Sequence, residues 1–141
     1  MIRQATASDV PRLVEMGRRF RSETGYARVL AENPQKMTEL ATQLTSLGCL
    51  LVSERAGQLV GMLGYFVYPH FISGEQTAGE VFWWVEPECR GEGVKLLREA
   101  EKRARESGAE RMQMIAPTDR VANLYKRLGY EFVEASYQRS L

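Results

Sequence analysis

Residues 85–95 read Val85-Glu86-Pro87-Glu88-Cys89-Arg90-Gly91-Glu92-Gly93-Val94-Lys95. An apolar run, Glu80–Val85, precedes this stretch, and a charged, amphipathic segment, Val94–Ser107, follows it. The first pattern predicts a buried strand. The second predicts a helix, with Val94, Leu97, Ala100, Glu101 and Ala104 on adjoining positions and Gly108 as its stop. The join is therefore a glycine-rich strand-to-helix turn. Two glycines and the first amides of the helix expose several N–H groups at its positive end, which suits a phosphate or pyrophosphate. No Gly-Lys-Ser/Thr is present, so this is not a Walker A loop. Nor is it a Rossmann fingerprint, because Gly91-x-Gly93-x-x-Leu96 lacks the third small residue.

Working outward, the N-terminal half reads as a strand, Ile2–Ala5, and two helices. Thr6 or Ser8 caps the first, Pro11 fits its first turn, and Val10, Leu13, Val14, Gly17 and Phe20 share a face until Gly25 breaks the pattern. Asn33-Pro34 starts the second, which carries Met37, Leu40, Ala41, Leu44 and Leu47 and ends at Gly48. The period then changes. Cys49–Glu54 and Leu59–Tyr68 are β-rich runs joined by Arg55-Ala56-Gly57-Gln58, a hairpin signal. Pro69 through Gly79 reads as a polar loop. After the central helix come a strand at Arg111–Ile115, a helix at Asp119–Leu128 ended by Gly129, and a last strand at Tyr130–Tyr137. The order is β-α-α-β-β-β-α-β-α-β. Only the strands flanking the central helix are free to run parallel, so the class is α/β (α+β), with a mixed, mostly antiparallel sheet flanked by helices.

The chain has 141 residues, 44% apolar and 26% charged, which predicts one globular domain spanning 1–141. Lys and Arg number 19 against 18 Asp and Glu, a net charge of +1, so global charge indicates no nucleic-acid partner. The longest apolar runs fall far short of a membrane span and no leader pattern is visible, so the expected compartment is the cytoplasm. One histidine and two cysteines do not make a metal centre or a disulfide framework.

The turn and its surroundings resemble a known family. Val85-x-Pro87-x-x-Arg90-Gly91-x-Gly93-Val94, opening a helix that ends in Ser107-Gly108-Ala109, looks like motif A of the GNAT acyltransferases. Val121-Ala122-Asn123-Leu124-Tyr125-Lys126-Arg127-Leu128-Gly129-Tyr130-Glu131 looks like their motif B, with a Tyr four residues before a Gly and an aromatic. The element order matches as well, so the resemblance covers nearly the whole chain. Lys95 departs from the small residue that the family places there, and Thr118 stands where many members have an Asn.

The resemblance implies acetyl-CoA as cofactor and direct acyl transfer to an amine, carried by a small molecule or a peptide. It implies that the strand before motif A and the strand after its helix splay apart around the pantetheine arm. Carried over, backbone groups near Trp84 and Val85 hold that arm, and the turn Arg90, Gly91, Glu92, Gly93, Val94 and Lys95 holds the pyrophosphate. Glu80, where some members carry a catalytic Glu, becomes the candidate base; strand parity places it on one face with Phe82 and Trp84. Tyr125, at the motif-B position, becomes the acid that protonates the leaving thiolate. A base matters because neutralising a lysine-like amine of pKa ~10.4 at pH 7 costs roughly 4.6 kcal/mol. His70, at the rim of the Pro69–Gly79 loop, is the other candidate base. Cys89 sits ahead of a helix start, but no His lies nearby in sequence, and it reads as filler.

Two further readings stand beside the acetyltransferase. One is a catalytically silent acyl-CoA-binding domain. The other is an interaction module using an exposed aromatic edge at Tyr65–Phe71. An exposed final strand leaves a homodimer open.

Overall fold

The computed structural model describes residues 1–141. Five strands form one sheet in the order β1-β2-β3-β4-β5: Ile2–Gln4, Leu50–Arg55, Gln58–Pro69, Gln76–Val85 and Arg111–Gln113. Neighbours are antiparallel except β4 and β5, which the crossover helix makes parallel. The helices are α1 (Val10–Ser22), α2 (Tyr26–Val29), α3 (Pro34–Ser46), α4 (Glu92–Glu106) and α5 (Asp119–Arg127). The mixed, mostly antiparallel sheet read from the sequence is the one observed.

Each face of the sheet carries a core. Leu13 and Met16 of α1 and Ala41 and Leu44 of α3 pack on one face against Leu50, Val52, Met62 and Trp84. Leu96, Leu97 and Ala100 of α4 and Tyr125 of α5 pack on the other against Leu51, Leu63, Tyr65 and Val85. Alternate strand residues supply the two sides, as the pleat requires. Gly64 is what lets α3 approach: a Cβ there would sit 2.8 Å from Leu44 Cδ1 and from the Phe82 ring.

Local chemistry sets most boundaries. The Asn33 side chain accepts from the Lys36 amide at 3.1 Å and starts α3. Thr6 and Asp9 form a capping box ahead of α1; Arg3 grips Asp9 through two hydrogen bonds, which hold that carboxyl down at about 2 with help from the Thr6 amide. Gly48, Gly108 and Gly129 end their helices at positive φ. The β2–β3 hairpin turns on Ala56 and Gly57 at φ 51° and 76°, the primed geometry that matches strand twist.

Four expectations are corrected. β4 begins at Gln76, not Glu80, because its first residues pair with the far end of β3, down to Pro69↔Gln76. The loop is thus only the hairpin tip, 70–75. A short helix, α2, forms where the pattern was read as broken. Tyr65, placed on an exposed edge, is 1% exposed in the core behind α4; of that edge Tyr68 and Phe71 are open, with Ile72 beside them. Finally, Tyr130–Tyr137 is not a strand: the chain beyond Tyr130 makes no ladder, since β5 does not receive it within this chain.

Candidate functional site

Pairing between β4 and β5 stops at Gly79↔Gln113, yet β4 continues to Val85. From Glu80 on, the two chains diverge and leave a cleft. Glu86 donates its amide to the Val60 carbonyl at 2.8 Å, so Val85, one residue earlier, turns its own backbone groups to the opposite edge, toward the cleft. A cavity of about 30 Å³ lies at the crotch, lined by Phe20 and Tyr26 from α1 and α2, Glu80 and Trp83 from β4, Ile115, and Tyr125 from α5.

Glu80 and Tyr125, forty-five residues apart in sequence, meet here at one residue, Ile115, beside the same cavity. The Tyr125 hydroxyl donates to the Ile115 carbonyl at 2.9 Å, while the Ile115 amide favours the charged form of the Glu80 carboxyl. Strand parity alone places Glu80 with Phe82 and Trp84, and the structure overturns that. Gly64 pairs with Phe82 but Tyr65 pairs with Glu80, so Val81 is an extra residue. This bulge turns Glu80 to the opposite face, beside Trp83 and Tyr125. Desolvation raises the Glu80 carboxyl to about 8, against a smaller lowering by the Ile115 amide. Tyr125 is raised well above the ordinary phenol range, first by burial and then by the nearby Glu80 and Tyr130, so it holds its proton across the neutral range. Its ring stacks on Trp83 with centroids 5.8 Å apart.

At the turn, α4 has no side-chain cap. Gly93 donates to the Arg90 carbonyl at 3.1 Å, whereas the Gly91 and Glu92 amides donate to no backbone carbonyl. A Cβ on Gly91 would meet nothing within 4 Å; one on Gly93 would lie 3.3 Å from the Trp83 ring. The two glycines therefore differ. Gly91 faces open space in front of the amides, and Gly93 lets α4 close on β4. Lys95 pairs with Glu92 at 3.8 Å, which is also 3.9 Å from Arg55. Arg90 stacks over the Trp84 ring, 4.8 Å from its centroid, and approaches Glu23 at 4.0 Å. Its pKa is lowered by burial first and then by Arg120. Trp84 pairs with Met62 and turns its backbone groups to β3, so of the two residues expected along the pantetheine it is Val85 that presents backbone to the cleft. Val94 follows Gly93 on the first turn of the helix. A cleft edged by free backbone, an uncapped helix start and a cationic rim fit an acyl-CoA with its pyrophosphate at the turn.

The other expected residues lie elsewhere. His70 belongs to the hairpin tip, where its Nδ1 accepts from the Ile72 amide at 3.2 Å and its ring stacks on Phe71; it does not line the cavity. Cys89 is buried, with Arg55 Nη1 directed at its Sγ at 3.5 Å.

Sequence reasoning missed Glu86. Its side chain is 2% exposed and held by Arg19 and by Arg12, the latter at 3.1 Å; Arg12 also donates to the Leu59 carbonyl. These bonds tie α1 to the root of the turn. The available signal was an acid ending the apolar run of β4, with two arginines seven residues apart on α1. Phe20 and Tyr26 were missed as cavity walls, because nothing local distinguishes an aromatic lining a cavity from one in a core.

A model of the acetyltransferase (GNAT) family matches residues 15–130 of the chain. No curated protein matches it. Among solved structures, a transcriptional regulator from Bacillus halodurans C-125 superposes with a TM-score of 0.80 at 20% identity, covering 100% of this chain and 99% of that one. A predicted acetyltransferase with acetyl-CoA from Clostridium acetobutylicum superposes with a TM-score of 0.78 at 16% identity, covering 99% and 95%. An aminoglycoside 6'-N-acetyltransferase from Acinetobacter haemolyticus does so with a TM-score of 0.75 at 16% identity, covering 100% and 97%. At these identities the likeness is one of fold.

Proposed function

Because the chain belongs to the acetyltransferase (GNAT) family, we propose that it transfers an acetyl group from acetyl-CoA to an amine by direct attack. The observation that carries this reading is the convergence of Glu80 and Tyr125 beside Ile115 on one cavity at the crotch of the β4–β5 cleft. Bound acetyl-CoA supplies an activated acyl carbonyl and a sulfur leaving group. The Gly91 and Glu92 amides, at the positive end of α4, hold its pyrophosphate, with Lys95 and Arg90 adding charge at the rim. Backbone groups of Val85 align the pantetheine and polarise the acyl carbonyl. Glu80, when ionised, accepts a proton from the acceptor's ammonium group and so makes its nitrogen nucleophilic. Tyr125 keeps its proton on the Ile115 carbonyl until the sulfur departs, gives it to that sulfur, and regains one from the nitrogen as the amide forms. Phe20 and Tyr26 close the α1/α2 side and exclude water from the acceptor nitrogen.

The test is a thermal melt with and without acetyl-CoA, followed by thiol release across a panel of small amines and peptides. A ligand at 100 times its Kd adds about 2.7 kcal/mol of stability, well within the reach of a melt. A shift with turnover supports the reading. No shift overturns it, and a shift without turnover on any amine leaves the silent acyl-CoA binder.

A further inference from the structure

On the α1 side of the cleft stands a guanidinium without a full partner. Glu86 is shared by Arg12 and Arg19, and Glu23 by Arg19 at 3.6 Å and Arg90 at 4.0 Å. At 4.0 Å Arg90 makes no hydrogen bond to Glu23, and no other carboxylate reaches it. It is held instead by a ring. Arg90 and Arg19 both lie over Trp84, 4.8 and 5.8 Å from its centroid, and Trp84 packs in the core under α1 and α3. The charge of Arg90 reaches the pyrophosphate turn through space, but its donors are turned to the α1 side. Burial, and then Arg120 at the start of α5, work against that charge, so an anion beside it is favoured. The side chain is 38% exposed and therefore open to a ligand. A guanidinium fork fixed by stacking and short of an anion suits a planar carboxylate.

The cavity at Glu80 sets where the rest of an acceptor goes. At about 30 Å³ it has room for an ammonium group and little more than the carbon that bears it. Apart from Glu80 its walls are apolar or aromatic. Phe20, one of those walls, and Glu23, beside Arg90, are three residues apart on α1 and so are neighbours along one helix face, about one turn or ~5 Å apart. An acceptor with its ammonium at Glu80 and a carboxylate at Arg90 thus spans the Phe20 wall, which takes several methylenes. An α-amino acid cannot do so. Its carboxylate, one carbon from the nitrogen, would enter the apolar cavity beside the Glu80 carboxyl, where desolvation and like charge both oppose it. Resting on the acetyltransferase reading above, we propose that the acceptor is an ω-amino carboxylate, an unbranched primary amine with a carboxylate at its far end. Glu80 receives the ammonium, Arg90 binds the carboxylate, and Arg19 and Arg120 add positive charge beside it.

The test compares kcat/KM of thiol release, at saturating acetyl-CoA, for β-alanine, γ-aminobutyrate, δ-aminovalerate and ε-aminocaproate. Each is set against the alkylamine, the terminal diamine and the α-amino acid of the same carbon count. The expectation is a preference of about tenfold or more for the ω-amino carboxylate at one or more lengths. Arg90→Gln is expected to bring that ratio to within about threefold of unity, Arg90→Lys to keep part of it, and Arg90→Glu to turn it toward the diamine. Circular dichroism and the acetyl-CoA melt show that each variant is folded and loaded. The ratio is read rather than the rate, so a weaker hold on acetyl-CoA does not imitate the loss. Turnover without preference, a preference for the α-amino acid, or a ratio unmoved by Arg90→Gln overturns the proposal and leaves the acetyltransferase reading standing. Thiol release from none of these compounds, with the melt still shifted by acetyl-CoA, overturns the proposal too. No shift with acetyl-CoA overturns the reading itself, and the proposal with it.

Discussion

The substitution Glu80→Gln removes the carboxyl and keeps its shape. With the carboxyl at about 8, only about a tenth of it is ionised at pH 7. For a lysine-like acceptor of pKa ~10.4, turnover through Glu80 rises tenfold per pH unit below pH 8, as the carboxyl ionises, and then levels off. Turnover through the spontaneously neutral amine keeps rising until ~10.4. The two routes are parallel below pH 8 and converge above it. The wild type is therefore expected to break at about pH 8, and Glu80→Gln to run below it by about 100-fold or more without that break, the gap closing as pH rises further. The assay is initial-rate thiol release from acetyl-CoA with one such amine, between pH 6 and 10. Stability gives an independent reading. A carboxyl raised in the folded protein contributes stability that is fully present below its ordinary 4.5 and is lost as pH rises through about 8. The Gln variant cannot lose it, so it gains on the wild type by up to about 5 kcal/mol between those limits, read by urea unfolding at pH 5 and pH 9. A wild-type profile with no break near pH 8, together with unfolding curves that move in parallel, would falsify both the environment and the role assigned to Glu80.

Tyr125→Phe is expected to lower turnover by 100-fold or more at nearly unchanged acetyl-CoA affinity, and to cost about 1 kcal/mol for the lost bond to the Ile115 carbonyl; a fall below about threefold in steady-state kinetics makes the hydroxyl structural. Gly91→Asp places a carboxylate in open space before the α4 amides, so calorimetry should find CoA binding at least tenfold weaker at an unchanged melting temperature, and unaltered affinity would remove the anion from this turn. Gly93→Ala, by contrast, pushes a methyl to 3.3 Å from Trp83 and should destabilise by about 1–3 kcal/mol. Glu86→Gln weakens the link to Arg12 and Arg19. Both arginines keep access to water, so the expected cost is about 1–3 kcal/mol rather than that of a stranded buried charge, and melting at neutral pH decides.

Much of the architecture was legible because its causes are local. The Asn33 cap, the primed turn at Ala56-Gly57 and the glycines that end α3, α4 and α5 act within a few residues of themselves, and the structure has them where the sequence pattern puts them. The resemblance carried by the two motifs implies a cleft between β4 and β5 and makes Glu80 and Tyr125 the candidates at it. What parity misplaces is the direction of Glu80. One extra residue, Val81, reverses every side chain before it, and whether a strand accommodates a bulge is settled by the partner strand, not by its own alternation. The meeting of Glu80 and Tyr125 at Ile115, the enclosure by Phe20 and Tyr26, and the hold of Arg12 and Arg19 on Glu86 all join residues far apart in the chain, and only the packed sheet brings them within reach. The tail shows the same limit from the other side. Val133 through Tyr137 alternates as a strand should, but a strand exists only where an edge receives its hydrogen bonds, and tertiary structure alone decides which edge that is.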